Sequence, residues 1–232
     1  MNNEVLFLVV MLLDLAIILI AYRLGRPFLY AAIVGNIMFT NMVSSNIVTT
    51  FGFAGTVANV FYAAIFLGTD LISEHWGKKY AYKAIWMGFF ALMLIVIFGP
   101  LVQMFTPVEY SMKESDALSV IFGRTARIAV ASIIAYLIAN TFDVWWYDVL
   151  QRKFSTIKTL YIRNIGSTVV SQLIDNTLFV VLAFAGAVPT NVLWQIWLAG
   201  YVIKIIVAMA DTPFMYLSHW IKPTSQKWLD GN

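Results

Sequence analysis

The chain has 232 residues and a mean hydropathy of +0.80; 61% of its residues are hydrophobic and 12% are charged, against about a quarter charged in a soluble domain. This argues against a soluble fold, and the net charge of +3, spread over short connections, does not call for nucleic-acid binding. Without cysteine, disulfide frameworks, thiolate metal sites and thiol nucleophiles are excluded.

The first apolar segment covers residues 5–22. Its leader is acidic (Asn2, Asn3, Glu4), it contains Asp14, and no small-residue cleavage site stands out, so it reads as a retained span. The second, 28–49, is unusually polar, with Asn36, Thr40, Asn41, Ser44, Ser45 and Asn46. The third, 56–76, holds Asp70 and Glu74, four residues apart and therefore on one helical face. A fourth runs over 84–105. The fifth, 118–146, has Arg124 and Arg127 near one end and Trp145, Trp146 and Tyr147 at the other, where an interfacial aromatic belt belongs. The sixth, 159–187, carries Ser171, Gln172, Asp175 and Asn176, the last three spaced i, i+3, i+4. The seventh, 192–217, places Lys204 and Asp211 about two turns apart on one face.

About 20 residues at 1.5 Å rise cross a ~30 Å hydrocarbon core. Backbone groups find no water there, so only helices and closed barrels span it. These segments lack the period-two alternation of barrel strands. The expected fold is all-α and polytopic, a single transmembrane domain over 1–232 with about seven helices and no internal repeat. Arg23, Arg26, Lys78, Lys79, Lys83, Arg152, Lys153, Lys158, Lys222 and Lys227 fall in alternate connections, against Lys113 alone in the others. Cytoplasmic loops collect Lys and Arg, so an inner-membrane protein with an outside N-terminus and a cytoplasmic C-terminus is expected.

A charge at mid-membrane costs at least about 2.5 to 3.5 kcal/mol on insertion scales. Single Asn, Ser and Thr residues in spans often serve only as interhelical glue. Glu74 has a plain alternative in pairing with Lys78, and Arg124 in reaching the interface. Asp175 and Lys204 lie in mid-span; an ion pair and a pocket lining are both open to them. His75 and His219 stand alone near span ends and read as interface residues rather than metal ligands. No nucleophile elbow, phosphate loop or zincin motif is present, so neither an enzyme nor a cofactor is expected.

Four stretches carry a resemblance. They are Thr69-Asp70-Leu71-Ile72-Ser73-Glu74-His75-Trp76-Gly77; Ala126-Arg127-Ile128-Ala129 with Phe142-Asp143-Val144; Arg163-Asn164-Ile165-Gly166-Ser167 through Ser171-Gln172-Leu173-Ile174-Asp175-Asn176-Thr177 to Ala183-Phe184; and Tyr201 and Lys204 to Pro213 and Tyr216. In order and spacing they resemble the queuosine-precursor transporters, also called the vitamin-uptake-transporter-like family. The resemblance covers about 36–217, and the family's Asp-Thr pair stands here as Asp175-Asn176-Thr177. It implies import of 7-cyano-7-deazaguanine or 7-aminomethyl-7-deazaguanine. It also implies a six-helix core (28–221, with 1–27 as an extension) similar to the substrate-binding components of energy-coupling-factor transporters. The alternative is a substrate-capture subunit that needs an ATP-driven partner; a third reading gives the charges only a packing role. Partners expected are the 7-deazapurine and the bilayer, with no direct nucleic acid and room for a homo-oligomer. The candidate substrate-binding residues are Asn46, Asp70, Glu74, Arg127, Gln172, Asp175, Asn176, Lys204 and Asp211. A carboxylate suits the N1–H and exocyclic amine of a guanine-like edge, amides suit its acceptors, and Phe66, Trp197 and Tyr201 could stack the base.

Overall fold

Helix α1 (Asn3–Leu24) starts at an Asn2 cap, whose side chain accepts from the Val5 N–H, and stops at Gly25. The Gly25 N–H closes on the carbonyls of both Ala21 and Tyr22 with φ at 117°, a conformation open to glycine but not to residues bearing Cβ. Helix α2 (Arg26–Val43) begins at the next residue, with proline in its first turn. The same device recurs after α3 (Asn59–Trp76): Gly77, at φ 89°, donates its N–H to the Ile72 and Ser73 carbonyls, and α4 (Lys78–Val102) follows directly. Then follow α5 (Met112–Phe122), α6 (Ala126–Lys153), α7 (Leu160–Phe184) and α8 (Thr190–Ser218). A computed structural model describes residues 2–44, 46–123 and 126–224. Ser45, Arg124 and Lys227, singled out above, lie outside the described residues.

Three expected segments change shape. The second is not helical to Thr49: α2 ends at Val43, and β1 (Ile47–Thr50) pairs antiparallel with β2 (Phe53–Thr56). Phe51 and Gly52 form the turn with φ of 52° and 78°, the two positive values that suit a two-residue hairpin. The β-branched run Ile47-Val48-Thr49-Thr50 favours the strand. The fifth segment is not continuous from Leu118, because α5 stops at Gly123 and α6 starts at Ala126. The fourth begins earlier than Ala84: Lys78, Lys79 and Lys83 belong to α4 itself, since a one-residue turn leaves no loop to hold them.

Five helices, α1, α4, α6, α7 and α8, are long and apolar enough to cross a membrane. Their outward faces are apolar: α1 exposes Leu12, Leu13, Ile17 and Ile20, and α4 exposes Trp86, Phe90, Leu94 and Phe98. With no water-facing side to justify such a surface, lipid is its solvent. The chain is an all-α, multi-pass membrane protein. Helix α3 is the more polar exception, and its position explains why. It packs against α1, α2, α4, α6 and α8, and every residue from Ala63 to Ser73 is buried. A helix wrapped by its neighbours meets no lipid and needs no apolar outer face.

Close approach depends on glycines. A Cβ on Gly68 of α3 would stand 2.5 Å from Ile33 of α2, and one on Gly88 of α4 would stand 2.1 Å from the Tyr136 hydroxyl of α6 and 2.5 Å from Ile37. Small residues let membrane helices meet where no solvent-driven force presses them together. Gly88→Val should lower stability in detergent by about 1 to 3 kcal/mol, the usual cost of overpacking, read as a drop in thermal midpoint; an unchanged midpoint would mean that α4 and α6 are less closely packed than described.

Candidate functional site

Helix α7 repeats a polar doublet every four residues: Arg163-Asn164, Ser167-Thr168, Ser171-Gln172 and Asp175-Asn176, all eight buried. Four residues exceed one 3.6-residue turn only slightly, so the doublets form one stripe along the helix. That stripe faces α6 and α8 and meets polar residues of α3, α6 and α8 in three levels.

At the first level, Lys204 of α8 donates to Asp175 of α7, with both side chains about nine-tenths buried. The ammonium also lies 4.7 Å from the centre of the Tyr62 ring, a cation–π arrangement. Beside this pair, Tyr62, Ala63, Phe66, Thr168, Gln172, Lys204 and Ala208 line a cavity of about 10 Å³, room for about one water. The Gln172 Oε1 and Thr168 Oγ1 atoms are buried without a hydrogen-bond partner. Asn176 donates to the Trp197 carbonyl at 2.7 Å, and a Cβ on Gly200 would stand 2.7 Å from its Oδ1. Trp197 donates to Thr177 at 3.0 Å and stacks on Tyr201 with ring centres 5.7 Å apart.

The second level is carboxylate-rich. Asp70 of α3 is fully buried and neither of its oxygens has a hydrogen-bond donor. Asp143 of α6 accepts from Ser171 at 2.7 Å, and Asp211 of α8 accepts from Asn164 at 2.8 Å.

At the third level, one turn beyond Asp70, Glu74 is gripped by Arg163. The Nε bond is 2.9 Å and the Nη2 bond 2.5 Å. Tyr147 and Gln151 of α6 donate to the same carboxylate at 2.8 and 3.0 Å, and His219 lies 3.2 Å away. Arg163 directs its Nη1 donors to the carbonyls of Phe154 and Thr156, at 2.7 and 2.9 Å. The planar fork of arginine makes both sets possible at once. His75 bonds Ser218 at 2.8 Å and packs against the rings of Tyr22 and His219.

The sequence candidates therefore divide. Gln172, Asp175, Asn176 and Lys204 come together at the first level, Asp70 and Asp211 at the second, and Glu74 at the third. Asn46 and Arg127 stand apart. Asn46 is exposed, and its backbone closes the hairpin through Val43 and Val57. Arg127 donates to the carbonyls of Leu182 and Ala185 at 2.7 and 2.5 Å, where the negative end of the α7 dipole attracts a cation. The pairing of Glu74 with Lys78 does not occur: Lys78 bonds Asp148 at 2.9 Å. Arg163, Asp143, Asn164 and Tyr147 were not chosen from the sequence. The four-residue doublet would have found Arg163 and Asn164, but Tyr147, fully buried beside two interfacial tryptophans, carries no local signal.

Residues 56–218 match the family profile described as "Putative vitamin uptake transporter". The chain belongs to the vitamin uptake transporter family. It is 32% identical over 228 residues to a protein of Bacillus subtilis (strain 168) named "Probable queuosine precursor transporter", covering 98% of this chain and 99% of that one. No solved structure matches the chain. The family assignment makes this a transporter and not an enzyme.

In a transporter, a buried ion pair has a measurable signature. Removing Lys204 alone strands the Asp175 carboxylate, at a cost of about 3 to 5 kcal/mol. Asp175→Asn combined with Lys204→Met should therefore melt higher than either single variant in detergent. Additive losses would contradict the pairing.

Proposed function

We propose that this chain imports 7-deazaguanine precursors of queuosine, 7-cyano-7-deazaguanine or 7-aminomethyl-7-deazaguanine, across the cytoplasmic membrane. The observation that carries the reading is the grouping of Gln172, Lys204 and the Tyr62 and Phe66 rings around one small cavity, with Asp175 paired to Lys204 beside it. Its chemistry suits the edge of a guanine. The base offers N1–H and an exocyclic amine to a carboxylate, and acceptors to an amide and an ammonium. The full-length similarity to the Bacillus protein supports the same substrate class.

A cavity of about 10 Å³ does not admit a purine. In this reading substrate enters when the helices around Phe66 and Ala208 part. Asn36, Thr40 and Asn41 of α2 and the buried polar residues of α3 lower the hydropathy of two helices that complete seven spans in this reading. The basic residues near Gly25, Gly77 and the α6–α7 connection then lie on the cytoplasmic side, with the N-terminus outside. Single cysteines introduced at Ser111 and Ser155, in a chain without natural ones, should label from opposite sides of sealed vesicles. Labelling of both from one side would refute this topology.

Recognition of the base is tested by comparing ligands. A buried carboxylate oxygen that has lost its donor is left desolvated and unsatisfied, at about 1 to 3 kcal/mol. A 7-deazapurine lacking the 2-amino group should bind at least about tenfold more weakly, since 1.4 kcal/mol is a decade. Asp175→Asn should erase that margin. Binding of both ligands with the original preference would remove Asp175 from the recognition site and leave Asp70 or Glu74 to take its place. Uptake by vesicles containing this chain alone separates a self-sufficient transporter from a capture subunit with an ATP-driven partner.

A further inference from the structure

The second level holds three carboxylates and no cation. Asp70, Asp143 and Asp211 come from three different helices, and each side chain is at most 1% exposed. The nearby charges that could neutralise them are committed elsewhere: Lys204 to Asp175, and Arg163 to Glu74. Asp70 and Asp143 each lie one helical turn from the bonded pair Glu74 and Tyr147, which brings α3 and α6 together here, yet two ionised carboxylates have no hydrogen to share. A second observation lies outside the acidic cluster. The Asn164 amide, wholly buried, gives its Nδ2 to Asp211 and leaves its Oδ1 without a partner. Every unsatisfied atom on these four side chains, Asp70 Oδ1 and Oδ2, Asp143 Oδ2, Asp211 Oδ2 and Asn164 Oδ1, is therefore an acceptor. The cluster lacks a positively charged donor.

We propose that this cluster is a proton-binding site, centred on Asp70 and Asp143, which couples substrate movement to a proton gradient. The ligand is a proton rather than a metal ion: among the described residues, no three Asp, Glu, His or Cys side chains group as metal ligands would. One carboxyl oxygen of Asp70 takes a proton from water admitted on one side. The resulting O–H donates to Asp143, and the proton returns to water on the other side after the helices have rearranged. Two carboxyl groups close together behave as one proton-sharing unit. Asp211, Tyr147 and Glu74 also bear on Asp70. The faces that α1, α2 and α4 turn inward are led by Ile18, Ile33 and Ile85, and Asp14 of α1 is held by Asn36. The site lies one helical turn from Phe66 and the cavity along α3. A change of charge at Asp70 is thus placed to be felt where substrate binds.

This inference rests on the transport reading, and its test separates the two. Purified protein is reconstituted into vesicles with the membrane potential clamped, and 7-cyano-7-deazaguanine, a neutral base, is the probe. Exchange of labelled for unlabelled base without any gradient reports transport alone; its absence would overturn the transport reading itself. With exchange established, a pH gradient of one unit, alkaline inside, should accumulate the base up to about tenfold for one proton per substrate, and base entry should acidify the lumen. Exchange without accumulation or acidification would overturn the proton site, as would accumulation driven by a sodium gradient instead. Asp143→Asn should lower the ratio of proton to base flux at least tenfold. An unaltered ratio would overturn the placement of the site, while the gradient experiment on the unaltered protein judges proton coupling even if the variant fails to fold.

Discussion

An ion removed from water inside a helix bundle must find its counter-charge and its hydrogen bonds in the same bundle. Glu74 and Arg163 satisfy that condition more fully than any other pair described here, and much of the architecture follows from them. Glu74 collects donors from Arg163, Tyr147 and Gln151. Arg163 in turn holds the connection after α6 through two backbone carbonyls. One ion pair thus ties α3, α6 and α7 together, and His219 brings in the residue after α8. Replacing such a node by apolar side chains of equal volume is often harmless to stability in soluble proteins. Here it would also release the end of the bundle nearest His75 and His219 from its common anchor.

The same condition grades the three levels. The level at Glu74 is neutralised by Arg163, that at Lys204 by one ammonium, and that at Asp70 by no side chain among the described residues. Charge compensation is therefore least at the level between the two ion pairs, and an uncompensated charge within a span is costly. A bundle selected for rigidity alone would hold apolar side chains there. The glycine contacts at Gly68 and Gly88 let α2, α3, α4 and α6 approach closely around it.

Periodicity made the membrane helices legible in the sequence, because 20-residue apolar runs have few other uses. Asp70, Asp175 and Lys204 stood out because each is an isolated charge within such a run, and the structure buries all three. Arg163 and Asp143 entered only with the stretches that carry the resemblance and not as candidate site residues, since each lies near a segment end rather than in mid-span. Their burial depends on α6 running on to Lys153 and on the Glu74 carboxylate that receives Arg163, neither of which composition records. The hairpin at 47–56 was hidden for a related reason. Its residues are as hydrophobic as those of a span, and only the Phe51-Gly52 turn distinguishes a strand pair from a helix. Arg127 misled in the opposite direction: a cation near a span end can serve a neighbouring helix terminus, and nothing local shows which helix that is.

The single-residue turns at Gly25 and Gly77 also decide where the molecule can be engineered. A protease needs several residues of extended, accessible chain, and an inserted epitope needs ends that can be spread apart; neither turn offers them. The stretch from Gln103 to Val108, largely exposed between α4 and α5, does. A rigid fusion placed there would enlarge this small particle for imaging while leaving both glycine-closed helix pairs untouched.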